Sequence, residues 1–290
     1  DYFLNYRETG SNDFVLTNAE EKGYSRVISL GLSKSYDNGI DWGLGYAYTD
    51  AKDVNPMTSS VAFSNFVNFA TYDPVNPETG TSDYVIPHRF TFNLNARREF
   101  IKNYASKFSL FGTVNQGSPY SYTIGENNAF DPVFGNRRQL AYIPNGANDP
   151  VISPLSDAAA VAQLINFIEG SDDLREYRGQ IVDRNSENDP WRSRFDIRLA
   201  QELPGLRASD RTEAFIVIRN VGNLLNDEWG VMKEHGFPGN ASLYTLDADQ
   251  GEIDSEGRLI ISGFNPNVDR ASTLNNASLW QIRLGVKYTF

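Results

Sequence analysis

WQIRLGVKYTF, residues 280–290, is a stretch in which every second residue is apolar or aromatic. This strict alternation predicts a β-strand with one apolar and one polar face. The apolar face carries Trp280, Tyr288 and Phe290, so aromatic side chains lie at both of its ends. A strand at the end of a chain needs a neighbour, because its backbone groups are otherwise left unpaired.

The same alternation recurs along the chain and predicts an all-β protein. It is found in the segments 24–36, 40–50, 88–98, 105–115 and 191–201. The segment 212–225 is also strand-like, but both of its faces are apolar, which leaves its register open. A short run at 2–7 is expected to be the end of another strand. Together with 278–290, these segments make about eight strands.

The two faces of these strands differ in a way that indicates a membrane environment. Their polar faces carry Ser, Gly, Thr and Asn with several Arg, and Tyr and Trp lie toward the strand ends. An apolar outside with aromatic girdles and a polar inside is typical of a transmembrane antiparallel β-barrel. Segments of roughly 10 to 13 residues suit tilted strands that cross a bilayer. A soluble β-sandwich is the alternative, because its strands alternate as well.

The composition excludes several other classes of protein. The chain has 290 residues, no cysteine and a net charge of −11, so it has no disulfide framework and no thiolate metal site. It has no run of roughly 20 apolar residues, which an α-helical membrane span needs. The acidic balance argues against nucleic acid as a partner. No signal peptide begins the sequence, and we expect a mature product or a fragment.

Short and long connections alternate between the predicted strands. The short ones are 37–39, 99–104 and 203–210, and the long ones are 51–86, 117–190 and 226–276. Outer-membrane barrels have short periplasmic turns and long extracellular loops, so the long set is expected to lie outside the cell. One long loop is predicted to carry a short helix at 156–169, with Ser156 as N-cap and Gly170 at its stop. This helix packs loop against loop, or it acts as a lid.

Several stretches together resemble a family of outer-membrane receptors. Residues 219–226, RNVGNLLN, look like a signature near the end of TonB-dependent receptors. The terminal strand resembles their C-terminal assembly signal, with Trp280, Tyr288 and Phe290 as the signal residues. Further motifs are similar to the Oar-like subgroup, whose members usually carry a carboxypeptidase-regulatory-like domain. These motifs are PHRF (87–90), SPYSY (118–122), RG (178–179), RN (184–185), DPW (189–191) and QELP (201–204).

The resemblance implies that residues 1–290 are the C-terminal part of a 22-stranded barrel whose plug domain and TonB box lie elsewhere. It implies a receptor in the bacterial outer membrane that moves a solute with energy supplied through TonB. The implied partners are outer-membrane lipid, the barrel assembly machinery, the plug, TonB and an unknown solute. A standalone small barrel with a structural or adhesive role is the alternative.

Arginines on the inward faces are the first candidates for contacts in the lumen. They are Arg89, Arg97, Arg192, Arg194 and Arg198. Such side chains pair with carboxylates of the protein or attract an anionic solute. Tyr120 and Tyr122 in the second long loop are candidates for substrate contact, or they pack the loops shut.

No catalytic residue and no cofactor are predicted. His88 has Asp83 five residues before it, but no spaced triad or activated nucleophile accompanies the pair. His235 lies in the last long loop and is expected to be a loop residue. Asp247, Asp249 and Asp254 have the spacing of a calcium loop, although the twelve-residue EF-hand pattern is not met. A solvated acidic hairpin is the alternative to calcium.

Overall fold

The computed structural model describes residues 18–74, 76–125 and 138–290. Strands account for 46% and helices for 14% of the described residues, and the sheets are mainly antiparallel, which confirms the all-β class. The strand predicted at 2–7 lies outside the described residues.

Seven long strands form one antiparallel sheet, in which each strand pairs with its neighbours along the chain. They are β1 (Tyr24–Tyr36), β2 (Ile40–Asp53), β3 (His88–Ile101), β4 (Tyr104–Asn115), β5 (Arg192–Pro204), β6 (Arg211–Arg219) and β7 (Gln281–Thr289). A two-residue strand, Gly80–Thr81, pairs with the end of β2. Among the described residues, β1 and β7 are edge strands that do not pair with each other, so the sheet is open.

The prediction of a strand over 212–225 is wrong beyond Arg219. β6 ends there because Asn220 adopts a left-handed backbone conformation, with φ of 51°, which Asn tolerates better than most residues. The side-chain amide of Asn220 donates to the carbonyl oxygens of Gly230 and Ser278, at 2.9 and 2.5 Å. These bonds hold the chain in the direction that it takes after β6. The last long connection therefore begins at residue 220 and is longer than the sequence predicts.

The pairing register places the apolar faces of all seven strands on one side of the sheet. One row runs from Leu32 through Leu44 to Phe92, and another runs through Ile197, Ile218 and Ile282. The register of β6 is now defined, because Ile216 lies opposite both Leu199 and Leu284. Much of this face is uncovered, and Leu30, Leu32 and Leu284 are 66%, 62% and 74% exposed.

The three long connections lie at one end of the sheet and fold together into a unit that we call the cap. It comprises residues 54–87, 116–191 and 220–280, apart from residue 75 and residues 126–137. The hydrophobic core cluster lies entirely in the cap, and all three connections contribute to it. Ala70 comes from the first, Leu164 from the second and Leu243 from the third. The loops are therefore one packed body.

Short elements build the cap. Its largest sheet has four strands, Ile261–Phe264, Asn240–Leu246, Pro119–Ile124 and Glu187–Asn188. Two further strand pairs are Tyr142–Ile143 with Gln180–Ile181, and Lys233–Glu234 with Ser272–Thr273. The helices are α1 (Ala62–Val67), α2 (Ala158–Gly170), α3 (Asp172–Glu176), α4 (Val221–Leu225) and α5 (Asn275–Ser278), with a 3-10 turn at Ala248–Gln250. In the part of the chain that the structure describes, none of the helices is long and apolar enough to cross a membrane.

The helix predicted at 156–169 is confirmed as α2, but its ends differ. Asp157 is the N-cap, since its carboxylate accepts the backbone N–H of Ala160 at 2.7 Å. The hydroxyl of Ser156 instead accepts the backbone N–H of Ile261 at 3.0 Å. Gly170 is the last helical residue rather than the stop. Leu164 is fully buried in the cap core, so this helix packs loop against loop.

Candidate functional site

The polar face of the sheet carries a network of ion pairs across β4, β5 and β6. The ammonium group of Lys107 lies 2.6 Å from Glu202 and 2.8 Å from Glu213. Glu213 also accepts from Arg198 at 2.5 Å, so one carboxylate ties two cations on neighbouring strands. Each pair is partly exposed and contributes little stability alone. The network gives the face alternating charges rather than a field of one sign.

Arg194 and Arg192 are also held by partners. Arg194 forms a two-bonded pair with Asp196, both contacts at 2.9 Å. Asp196 accepts the backbone N–H of Asn220 at 2.8 Å, which connects this pair to the start of the last long connection. Arg192 reaches into the cap, where it lies 3.2 Å from the carboxylate of Glu234. Together with Arg198, these two arginines serve structural pairing.

Arg89 and Arg97 differ from the other three arginines. Both lie on the polar face of β3 and are exposed, and neither guanidinium forms an ion pair with any residue that the structure describes. Arg89 lies opposite Asn115, and Arg97 lies opposite Lys107. Of the five predicted arginines, these two are available to a dissolved anion or to carboxylates of a partner domain.

Tyr120 and Tyr122 do not lie where an incoming solute could contact them. They are only 4% and 2% exposed and belong to the cap core. Their hydroxyls lie 3.3 Å apart, and Tyr122 donates to Asp269 at 2.7 Å. Burial raises the pKa of both phenols above the ordinary value. Of the two alternatives for these residues, the structure supports packing the loops shut.

His235 joins the last long connection to the second one. Its Nδ1 lies 2.8 Å from the buried carboxylate of Asp189, and its Nε2 lies 2.9 Å from the carbonyl oxygen of Val268. Its ring stacks on Tyr120 with centroids 3.9 Å apart. Desolvation lowers the pKa of His235, but the hydrogen bonds to Asp189 and Val268 outweigh it and leave the pKa raised. Two acceptors favour an imidazolium that donates from both nitrogens.

Glu187 forms a cluster of carboxylates with Asp173 and Asp269, and Asp269 also acts on His235. The pKa of Glu187 is raised to about 7, chiefly by burial, and the nearby Asp173 and Asp269 add to the rise while the backbone N–H of Asn188 opposes it. Carboxylates that share a partly buried site cannot all ionise without cost. Sequence patterns do not reveal this cluster, because its members are far apart in the chain.

His88 and Asp83, which were considered as a catalytic pair, have separate partners. Nδ1 of His88 lies 2.9 Å from the hydroxyl of Tyr46, and Asp83 accepts from the amide of Asn185 at 2.6 Å. The His88 ring also stacks with Trp191 at 6.1 Å. It therefore belongs to an aromatic cluster at the cap end of the apolar face. That cluster consists of Tyr46, Tyr48, His88, Phe90 and Trp191.

The three aspartates considered for calcium act locally. Asp247 accepts backbone N–H groups of Asp249 and Gln250, and Asp254 pairs with Arg258 at 2.7 Å. The described residues contain no group of three or more side chains placed to hold a metal ion. The carboxylates of Asp247 and Asp254 are thus engaged by hydrogen bonds within the protein, and calcium binding here stays a prediction without geometric support.

Arg184 and Asn185 join two of the long connections, whereas the sequence identified them only as part of a motif. The side chain of Arg184 is 4% exposed and lies 2.7 Å from the carboxylate of Asp53. It also donates to the carbonyl oxygens of Val54 and Gly80, at 2.9 and 3.1 Å. Asn185 adds a bond to the carbonyl oxygen of Thr81 at 2.8 Å. These contacts fasten the second connection to the first.

The aromatic residues of the proposed assembly signal lie along β7. Trp280 precedes the strand at its cap end, and Phe290 follows it at the other end with 96% exposure. The hydroxyl of Tyr288 donates to Asp210 and accepts the backbone N–H of Leu206 at 3.2 Å. Tyr288 thus holds the turn between β5 and β6, while Trp280 and Phe290 remain accessible.

No protein-family model, curated protein or solved structure matches this chain. The class of protein is therefore stated from the structure alone. The described residues form an all-β protein whose antiparallel sheet is open and has one apolar and one charged face, with a folded cap at one end.

Proposed function

We propose that the chain forms part of the wall of an outer-membrane β-barrel receptor that transports a solute. The apolar face contacts lipid, the charged face lines the lumen, and the cap lies outside the cell. The resemblance to Oar-like TonB-dependent receptors is what assigns energised transport to the whole protein. No catalysis and no cofactor are part of the proposal.

The distribution of apolar side chains is the observation that carries this proposal. The hydrophobic core lies in the cap, whereas the sheet leaves large apolar residues uncovered on one face, including Leu30, Leu32 and Leu284. An exposed apolar surface of this extent marks contact with membrane or partner protein. A soluble sandwich would cover it with a second sheet, and the cap elements do not lie there.

The height of the apolar face supports the membrane over a protein partner. On β3 this face runs from the aromatic cluster at His88 to Arg98, ten residues later. At about 3.4 Å per residue and a tilt of about 40°, that distance is about 26 Å along the membrane normal. The apolar band of outer-membrane barrels is about 25 Å tall and has aromatic girdles at its edges.

The open edges favour a large barrel over a standalone small one. A barrel in the membrane needs every strand edge paired, because lipid offers no hydrogen bonds. β1 and β7 pair with no further strand among the described residues, so the wall needs more strands. Within the lumen, Arg89 and Arg97 are the two of the five predicted arginines that are available to plug carboxylates or an anionic solute.

Single cysteines can test the orientation of the sheet, because the chain has no cysteine of its own. Leu30→Cys and Ser29→Cys are adjacent on β1 and face opposite sides, and Ser255→Cys lies in the exposed part of the cap. In cells that express the full-length protein, a membrane-impermeant maleimide should label Ser255→Cys. In purified proteoliposomes, a lipid-borne quencher should reach a fluorophore at residue 30 and not at residue 29. Equal quenching at both positions would reject the membrane orientation.

Energised transport needs a separate test. The full-length protein should co-purify with the periplasmic domain of TonB, since TonB-dependent receptors engage TonB through a segment before the plug. A protein that inserts in the outer membrane but never binds TonB would favour the structural or adhesive alternative.

A further inference from the structure

A groove crosses the apolar face near the end of the sheet away from the cap. Its volume is about 940 Å³. One row of large side chains forms its wall, namely Phe108, Leu199, Ile216 and Leu284. The next row toward the short turns forms the floor with Ser106, Gln201, Ala214 and Val286, and it has smaller side chains at Ser106, Ala214 and Val286 than the wall has beside them. The step in side-chain size between two neighbouring rows creates the groove.

Arg98 lies at the β3 end of this groove, next to Phe100. It is exposed, and among the described residues its guanidinium forms no ion pair or hydrogen bond. Its neighbour across the strand pair, Ser106, is already bonded to Gln201 at 2.5 Å. A free cation at the end of an apolar groove is unusual, because a charge beside apolar surface needs solvent or a counter-ion.

We propose that the groove binds a glycerophospholipid, with its phosphate on Arg98 and an acyl chain along the row of large side chains. This inference rests on the proposed function, in which the apolar face contacts lipid. It goes further by naming one binding site and the headgroup charge that the site selects.

The level of Arg98 in the sheet favours a lipid over other occupants. It lies at the lower limit of the apolar band, where phosphate groups of a bilayer leaflet would be, and arginine side chains extend readily to that level. A dissolved anion would not use the apolar wall that Leu199 and Leu284 present.

Native mass spectrometry of the delipidated full-length protein tests the site with phosphatidylglycerol as the probe. We expect one tightly retained lipid, with affinity about five-fold lower in Arg98→Gln, the effect expected of one basic residue at an anionic surface. Arg207→Gln is the matched control, because it removes the same charge from an exposed residue in the short turn between β5 and β6, outside the groove lining. Its affinity should stay within two-fold of the unchanged protein.

A second variant tests the acyl-chain part of the site. Ala214→Phe fills the floor of the groove and leaves Arg98 intact, and it should lose the retained lipid while migrating as a folded protein in a heat-modifiability gel. Equal retention of phosphatidylcholine and phosphatidylglycerol would overturn the selection for an anionic headgroup, and unchanged affinity for phosphatidylglycerol in Arg98→Gln would overturn the role of Arg98. Displacement by glycerol 3-phosphate alone would show a simple anion site and overturn the lipid site. Failure to insert into vesicles would instead reject the proposed function.

Discussion

Asp189 accepts a hydrogen bond from Nδ1 of His235 at 2.8 Å, and the pair joins two long connections that are distant in the chain. Asp189 also accepts the backbone N–H of His235 at 3.1 Å. The carbonyl oxygen of Val268 lies within hydrogen-bond distance of the other ring nitrogen, Nε2. Both ring nitrogens face acceptors, so the charged ring fits this site better than the neutral one. Because the site favours the charged ring over the neutral one, we expect the stability of the cap to depend on pH.

We predict that the cap loses stability as the pH rises through the pKa of His235. That pKa is raised above 6.5 in the folded protein, so the pair's contribution is complete below about pH 6.5 and is lost as the pH passes the folded value. Thermal unfolding between pH 5.5 and 8.5 should show this slope. The slope should be smaller in His235→Gln, which cannot titrate. An unchanged slope in that variant would exclude the histidine as its source.

Glu187→Gln should stabilise the cap at pH 8 and have little effect at pH 4.5. The folded pKa of Glu187 is raised to about 7 from 4.5, so ionisation costs stability progressively between those values and fully above them. Glutamine keeps the oxygen that accepts the backbone N–H of Asn188 at 2.8 Å. Urea unfolding at both pH values measures the effect, and the exposed Glu228→Gln is the control. Stabilisation at pH 4.5 would contradict this account.

The sheet was predictable from the sequence because the alternation of apolar and polar residues within each strand is a local pattern. An alternation such as that of 280–290 defines which residues share a face, and the structure pairs them in that register. β6 was the exception, since Phe215 and Val217 make its second face apolar as well. That face is part of the charged side, where Phe215 packs over Gly285 and under Arg198. Periodicity cannot reveal such a contact with another strand.

The cap was not predictable for a related reason. Its contacts join residues far apart in the chain, such as Tyr122 with Asp269 and Arg184 with Asp53. The sequence showed long polar loops that contain aromatic residues. Such a composition is compatible with both exposed and buried positions of these residues. Of the predicted site, three arginines proved to be paired and two tyrosines buried. Asp196 and Glu213, the partners of Arg194 and Arg198, lie on strands of the sheet, whereas Glu234 and Asp269, the partners of Arg192 and Tyr122, lie on the last long connection.

Replacing Arg184 by Lys should destabilise the cap by about 2 kcal/mol. The guanidinium donates at once to the carboxylate of Asp53 and to the carbonyl oxygens of Val54 and Gly80, and the side chain is almost fully buried. A single ammonium cannot reach all of these acceptors, and each buried acceptor left without a donor costs about 1–3 kcal/mol. The exposed Arg175→Lys should change the free energy of unfolding by less than about 0.5 kcal/mol. Similar losses in both variants would show that the buried geometry of Arg184 is unimportant.

Gly285→Ala should destabilise the sheet because a Cβ atom there would overlap the ring of Phe215 on the neighbouring strand. Overfilling a packed site costs about 1–3 kcal/mol. Gly31→Ala is the matched control, since it lies on the same charged side and a Cβ atom there would meet nothing within 4 Å. The free energy of unfolding in detergent, measured with urea, should fall only for Gly285→Ala.

A double variant isolates the contact between the two strands. In a Phe215→Ala background the ring is absent, so Gly285→Ala should cost much less than it does in the unchanged protein. The coupling between the two substitutions should be about 0.5–3 kcal/mol, the range for residues in direct contact. Additive costs would mean that Gly285 is required for the backbone of β7 itself rather than for room beneath the Phe215 ring.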